Sequence, residues 1–474
     1  MSHQVDPKRI EHLRARTMAE LDPTDAMPGA CPGPGELAQR LQQPLQLVDA
    51  LERWVYILGT DRVFDLWLLR EYPVRHLRYE LAGNASIYKE WLTHPARRQV
   101  APEDIVFEPS GHCLPHQINL WRGLPLAPVE GDCGPILELV EHLMSETAPD
   151  PEGRARHVEY LLHWLAYPLQ HPGAKLRSAL VFHGPQGCGK SLLFEGVMAR
   201  IYGEYARVIG QAQLESRYTD WASRCLFVVA DEVLAPGEAA HYRHRLKALI
   251  TGETLMIEAK FATVRQERNA ANLVFLSNEA KPLALEADDR RHYVVWCPPK
   301  RTDDLYARVG RCIDSGGLNA FQGYLLGLDT SGFDPYAPPP LTQAKRELVE
   351  LGLRPAERFV RDWLAQQLEL PVWPCSTAQL YRAFGRWCRA HGERCVPAQT
   401  AFTAIAAKAA GQRLTRQKCS PSGGSSGAPI TLWLPSGTGP LNGVTWYDFA
   451  TQAVAAFDGP LRGFCRIFGE EAPT

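Results

Sequence analysis

The stretch ALVFHGPQGCGKSLLFEGVMARIYG, Ala179 to Gly203, decides how the chain is read. It opens on a short apolar run, passes through a glycine-rich turn and continues with apolar residues at helical spacing. Gly184, Gly187, Gly189, Lys190 and Ser191 satisfy G-x-x-x-x-G-K-[ST]. The setting is the required one, after a strand and before a helix. Glycines let backbone N–H groups approach phosphate oxygens, and the following helix directs its positive end at them. Gly184, Pro185, Gln186, Gly187, Cys188, Gly189, Lys190 and Ser191 are therefore the candidate ATP-binding loop. Lys190 supplies a point charge for the β- and γ-phosphates, and Ser191 offers a hydroxyl to Mg2+. A chance match in a glycine turn is the alternative; the flanking strand and helix weigh against it.

The same rhythm extends on either side. Short apolar runs, LFVVAD, LVFLSN and HYVVW, alternate with longer helical stretches up to about Leu328. Buried parallel strands with helices on both faces read this way, so the fold class is α/β. LFVVAD ends in Asp231 and Glu232. Two acids at a strand end suit magnesium-assisted hydrolysis, with Asp231 holding the ion through water and Glu232 activating the attacking water. LVFLSN ends in Asn278, whose amide can bond both a γ-phosphate and that water. Solvated carboxylates and a polar strand cap are the plain alternatives.

Taken in order, these motifs resemble the ATPase core of superfamily 3 helicases, and more closely the poxvirus-type primase–helicases of phages and plasmids. YLLHWLAYPLQHPGAKLRSALVFHGPQGCGKS, LKALITGETLMIEAK, NLVFLSNE and INLWRG carry the likeness, over roughly Leu45 to Lys300. The resemblance implies an AAA+-type core working as a ring, often a hexamer, on single-stranded DNA. It implies a channel hairpin in TLMIEAKFATVRQERN, with Lys260 on the DNA backbone near its tip. Phe261 stands where several members carry histidine, and stacking on bases is the role open to it. In the family an arginine follows the asparagine motif by about a dozen residues and serves the neighbouring subunit's γ-phosphate as a finger. In DDRRHYVVW that place falls to Arg290 or Arg291. Arg291, which abuts HYVVW, is the favoured finger, and Arg290 is expected to pair with Asp288 or Asp289.

At 474 residues the chain is too long for one core. Residues 1–45, with the breaker DPTDAMPGACPGPGE, are expected to be weakly ordered; 46–170 form a mixed or helical lead-in domain, 171–330 the ATPase core and 331–340 an extended linker. In 341–436, helices in AERFVRDWLAQQL, AQLYRAFGRWCRAHG and AQTAFTAIAAKAAG precede two strands around a glycine-rich tip, which predicts a winged-helix-like module. Ser376 or Thr377 would cap its second helix. Arg413, Arg416 and Lys418 flank the wing as candidate phosphate contacts. The tail 437–474 has no evident place.

Net charge is −2, yet Leu341 to Pro435 holds thirteen Lys or Arg against six Asp or Glu. A basic module on an acidic body suggests nucleic acid at that module. Twelve cysteines without a CxxC pair fit a reducing compartment. His112, Cys113, His116 and Cys133 match no standard zinc spacing. No run is long enough to span a membrane and no secretory signal opens the chain, so a cytoplasmic location in a bacterial host is expected.

The expected function is an ATP- and Mg2+-dependent DNA helicase of a phage, prophage or plasmid. Its partners would be single-stranded DNA, fork or origin DNA, further copies of itself, and a separate primase or polymerase. Too few residues precede the lead-in domain for a polymerase, so helicase without primase is expected. The alternatives are an initiator or loader that remodels DNA without processive unwinding, a nucleotide-switched origin-binding protein, and an anti-phage NTPase.

Overall fold

The computed structural model describes residues 44–81, 84–232, 239–260, 264–280, 282, 285, 288–393, 396–421 and 427–467. The expected weak order of 1–45 and the position of Phe261 lie outside these residues, apart from 44 and 45. The described residues divide into two compact units, one running up to residue 282 and from 289 to 346, the other comprising 285, 288 and the residues from 347 onward.

The first unit opens with helix α1 (Leu47–Arg53) and strands β1 (Trp54–Ile57), β2 (Arg62–Asp65) and β3 (Arg70–Pro73). Helix α2 (Ala85–Thr93) and strand β4 (Gln99–Val100) follow, giving a sheet of order β3-β2-β1-β4. This small core is organised around a buried ion pair. Arg53 Nη2 lies 2.8 Å from Asp65 Oδ2, both side chains being at most 1% exposed. Trp54 Nε1 and the Tyr72 hydroxyl also donate to Asp65, at 3.3 and 2.7 Å. The Arg53 guanidinium packs against the Trp54 and Trp67 rings. A carboxylate taken out of water is tolerated only with this many donors. Two short strands, β5 (Ile105–Val106) and β6 (Ile118–Asn119), pair in parallel beyond it.

Helices α3 (Gly134–Leu143) and α4 (Pro151–Gln170) fall inside the expected lead-in domain, but they pack elsewhere. Ile136, Leu139, Leu161, Trp164 and Leu165 share one core with the central sheet. The 170/171 boundary therefore divides, in sequence, residues that fold together. Asp150 starts α4 by accepting from Gly153 N at 2.6 Å.

The central sheet holds β7 (Ala179–His183), β8 (Ala206–Ile209), β9 (Phe227–Asp231), β12 (Asn272–Ser277) and β13 (His292–Trp296). All pairings are parallel and the order is β13-β7-β12-β9-β8. Every residue of β7 and β12 is buried, as in a sheet covered on both faces. The four apolar runs are four of these strands. The fifth, β8, was not expected; it lies on the sheet edge with Val208 exposed, so its pattern is weak. After the glycine turn the chain winds as a π-helical segment, α5 (Leu192–Ala199). Helix α6 (Ala239–Thr251) leads into the hairpin β10 (Thr254–Ile257) and β11 (Arg265–Arg268). Helices α7 (Leu305–Cys312) and α8 (Leu318–Gly327) close the core.

The segment expected to be an extended linker instead packs on this unit. Phe333 meets the rings of Tyr160 and Tyr167, Thr330 Oγ1 donates to Gln170 Oε1 at 2.7 Å, and Arg177 N donates to Pro335 O at 3.1 Å. Its prolines stiffen a seated strap rather than a free joint.

The second unit contains α9 (Pro355–Leu364), α10 (Thr377–Ala390) and α11 (Gln399–Ala410). Its sheet has the order β14-β16-β15, from β14 (Cys375–Ser376), β15 (Leu414–Cys419) and β16 (Ile430–Pro435), paired antiparallel. Ser376 caps α10, its Oγ accepting from Gln379 N at 3.2 Å. The tail without an evident place is α12 (Trp446–Ile467), which buries Phe457, Leu461 and Phe464 in the same core as Phe359, Phe384 and Trp433. Gln379 ties it down, donating to Val454 O and Asp458 Oδ1, each at 2.8 Å.

Candidate functional site

Because β12 lies between β7 and β9, the C-terminal ends of the three strands bring the glycine loop, Asn278 and the Asp231–Glu232 pair to one edge. Open parallel sheets bind ligands at this end. The loop glycines are sterically required. Gly184 has φ +138°, and a Cβ there would stand 2.7 Å from Cys297 O; at Gly189, φ +105°, it would stand 2.6 Å from Leu139 Cδ1.

Lys190 is buried, and its Nζ donates to Gly184 O (3.0 Å), Pro185 O (3.0 Å) and Asn278 Oδ1 (3.2 Å). Asn278 Nδ2 in turn donates to Glu232 Oε1 at 3.4 Å. Three residues far apart in sequence thus form one polar chain. Ser191, Glu232 and Asn278 are exposed, and Asp231 is half-buried. Glu232 adopts φ +52°, unusual for a residue with a side chain, and its N donates to Leu276 O at 3.1 Å.

Burial, reinforced by the Glu232 charge, raises the Asp231 pKa above the usual carboxylate value. Burial and the Asp231 charge do the same to Glu195. Glu195 is one helical turn beyond Ser191 and interacts with its hydroxyl. The Cys188 thiol is lowered to about 6, first by a hydrogen bond from Cys297 and then by the Lys190 charge. Cys297 is pushed well up, chiefly by burial.

The two arginines sit apart from this edge. His292 of β13 is level with Ala179 of β7, and Ala179 N donates to Arg291 O at 2.7 Å. Arg290 and Arg291 are thus at the N-terminal end of the sheet, about 16 Å from the glycine loop at the rise of a strand. Arg290 was expected to pair with Asp288 or Asp289; the structure gives Asp289 other partners. Asp289 accepts from His292 Nδ1 and the backbone N of Arg291 and His292, at 3.0 to 3.1 Å, and from Lys345 Nζ at 3.3 Å. Burial alone would raise its pKa, but His292 and Lys345 outweigh that and hold it well below the carboxylate range. Arg290 is exposed; Arg291 is half-buried.

Lys260 is exposed in the turn of the β10–β11 hairpin. Lys175, a residue with no sequence signal, ties the end of α6 to the chain entering β12. Its buried Nζ donates to Leu249 O at 3.0 Å and to Ala271 O, and burial lowers its pKa to about 7. In the second unit Arg413, Arg416 and Lys418 are exposed on and beside β15, with Arg416 over the Trp433 ring. His112 bonds Ser110 Oγ and His116 faces Asp104, and no group of three metal-ligating side chains occurs among the described residues.

Around the loop lie residues that the sequence did not single out. Tyr306, Lys300 and Cys297 follow β13 in sequence, and Glu195 lies on α5. Only Glu195 carried a readable signal, its helical spacing from Ser191.

A model described as a family of unknown function (DUF5906) matches residues 182–291. A DNA primase-polymerase of Nitratiruptor phage NrS-1 is 31% identical over 263 residues, 52% of this chain and 35% of that protein. The chain thus spans about a third of the length of this curated relative. Two solved apo structures of the NrS-1 C-terminal region (305-718) each superpose with a TM-score of 0.58, 19% identity, 83% of this chain and 100% of theirs. The fold is shared with that region. Among the described residues no helix is long and apolar enough to cross a membrane.

Proposed function

We propose that the chain is an ATP-driven DNA motor, a superfamily 3-type helicase ATPase serving replication of a phage or related mobile element. The observation that carries this reading is the contact chain Lys190–Asn278–Glu232, at 3.2 and 3.4 Å. A lysine from a glycine loop, a strand-end amide and a strand-end carboxylate on one edge are the parts needed to hold a terminal phosphate and direct water at it. Similarity to a phage DNA primase-polymerase supports the replication setting.

In this reading phosphate oxygens replace the Gly184 and Pro185 carbonyls as acceptors for Lys190. Ser191 and Asp231 would hold Mg2+, which supplies charge neutralisation between the phosphates when bound. The donor set fits a hard cation: one hydroxyl and one carboxylate, with waters completing the shell. Glu232 accepts a proton from the attacking water, and Asn278 orients that water against the γ-phosphate. Arg290 and Arg291, at the far end of the sheet, act on a neighbouring copy's nucleotide, which makes the working form a ring, a hexamer on the family's precedent. Lys260 touches the DNA backbone in the channel, and Phe261 beside it is the base-stacking candidate. The parallel sheet is the AAA+-type core. The second unit serves as a winged-helix-like DNA module through Arg413, Arg416 and Lys418.

The test is paired. Purified protein is assayed for single-stranded-DNA-stimulated ATP hydrolysis and for strand displacement on a forked duplex. Both are expected. Stimulated hydrolysis without displacement would favour a loader or initiator, and tight ATP binding without turnover an origin-binding switch.

A further inference from the structure

We infer that Lys300 is a second cation of the nucleotide site, meeting the α- and β-phosphates from the side of the loop opposite Asn278. This rests on the reading of Gly184–Ser191 as a triphosphate loop. Strand β13 flanks β7 on the edge away from β12. The chain leaving β13 then turns across the loop. Cys297 N donates to His183 O at 2.7 Å, and the Lys300 stem passes over Gly187, where a Cβ would lie 3.5 Å from Lys300 Cδ.

Tyr306 holds this crossing in place. Its hydroxyl donates to Cys188 O at 3.3 Å and accepts from Arg301 N at 3.0 Å, while its ring faces Gly189. Lys300 Nζ lies 5.9 Å from the centre of that ring. Arg301, the neighbouring cation, is engaged with Glu138 and Asp303. Lys300 is exposed and has no carboxylate partner among the described residues. An ammonium on a stem braced by an aromatic face is a preplaced anion contact.

The side of approach sets the role. Lys190 reaches toward Asn278 and Glu232, where the terminal phosphate and its chemistry belong. Lys300 comes from the other edge, so it meets the phosphates nearer the nucleoside, which ATP and ADP share. A contact made equally to substrate and product strengthens binding without accelerating the chemical step.

The experiment is a titration of the full chain with methylanthraniloyl-ADP and the matching ATPγS analogue, beside steady-state ATP hydrolysis. Lys300→Ala is expected to weaken both analogues by about tenfold, the scale of one charge-assisted contact. KM should rise while kcat stays within about twofold, and Lys300→Arg should restore most of the affinity. The salt dependence of ADP binding should become shallower in Lys300→Ala. ADP binding as tight in Lys300→Ala as in the unchanged protein would overturn the assignment. So would a loss of kcat with ADP affinity intact, which would place the lysine on the γ-phosphate. If the unchanged protein binds neither analogue, the triphosphate reading of the loop fails, and Lys300 with it.

Discussion

At Asp231 the proposed function and stability oppose each other. Its pKa is raised in the folded protein, by burial first and Glu232 second. A carboxylate so shifted stabilises the fold at low pH and loses that contribution as pH rises through its folded value. At neutral pH its charge is therefore a cost, one that a bound divalent cation would offset. Asp231→Asn should raise the melting temperature at pH 7 while removing ATP turnover, measured by thermal denaturation beside phosphate release. A lower melting temperature would count against the desolvation argument. Glu232→Gln should retain nucleotide but slow turnover by about a hundredfold or more, the scale of losing a general base. Lys190→Ala should lose turnover altogether; retained hydrolysis would sink the phosphate-loop assignment.

Among the elements, α6 and the start of β12 are tied together by Lys175. Its pKa falls from the ordinary lysine range to about 7 on burial. Between these values the unfolded chain binds more protons than the folded one, so this residue makes stability rise as pH increases from about 7 to about 10.5. Lys175→Met should flatten that rise in urea midpoints measured at neutral and alkaline pH. An unchanged slope would show that the amine is not the titrating group. In the second unit α12 completes the core rather than trailing from it. Phe464→Ala should cost about 3–5 kcal/mol in chemical denaturation of that unit, the usual loss for a buried phenylalanine. A cost near zero would mean the helix is dispensable.

For the molecule as a whole, the decisive feature is the length of β13. Arg290 and Arg291 enter one end of it and Cys297 leaves the other beside the loop, so under the proposed function the arginines would act on a neighbouring copy's nucleotide rather than their own. Mixing Arg291→Ala with Asp231→Ala/Glu232→Ala protein should recover part of the ATPase activity through hybrid interfaces. Absence of recovery, in assemblies shown by native mass spectrometry to mix, would remove the trans finger; the same comparison with Arg290→Ala decides between the two arginines.

Much of the candidate site was legible in the chain itself, because the chemistry proposed for it is local. The glycine turn needs particular residue types at particular spacings, and Asp231, Glu232 and Asn278 end runs whose apolar continuity marks buried parallel strands. The helices α9 to α11 announced themselves through periodic apolar faces and a cap at Ser376 or Thr377, of which the structure uses Ser376. Tertiary structure alone decided the rest. It packed α3 and α4 onto the central sheet, since an amphipathic face does not name its partner. It seated the 329–340 segment, gave α12 a core, and added β8, whose half-exposed edge position weakens its pattern. It also brought Lys300, Tyr306 and Cys297 to the loop. Local spacing specifies which backbone turns can form and which acids end a strand. Only the order of strands in the sheet determines which distant side chains then share that edge.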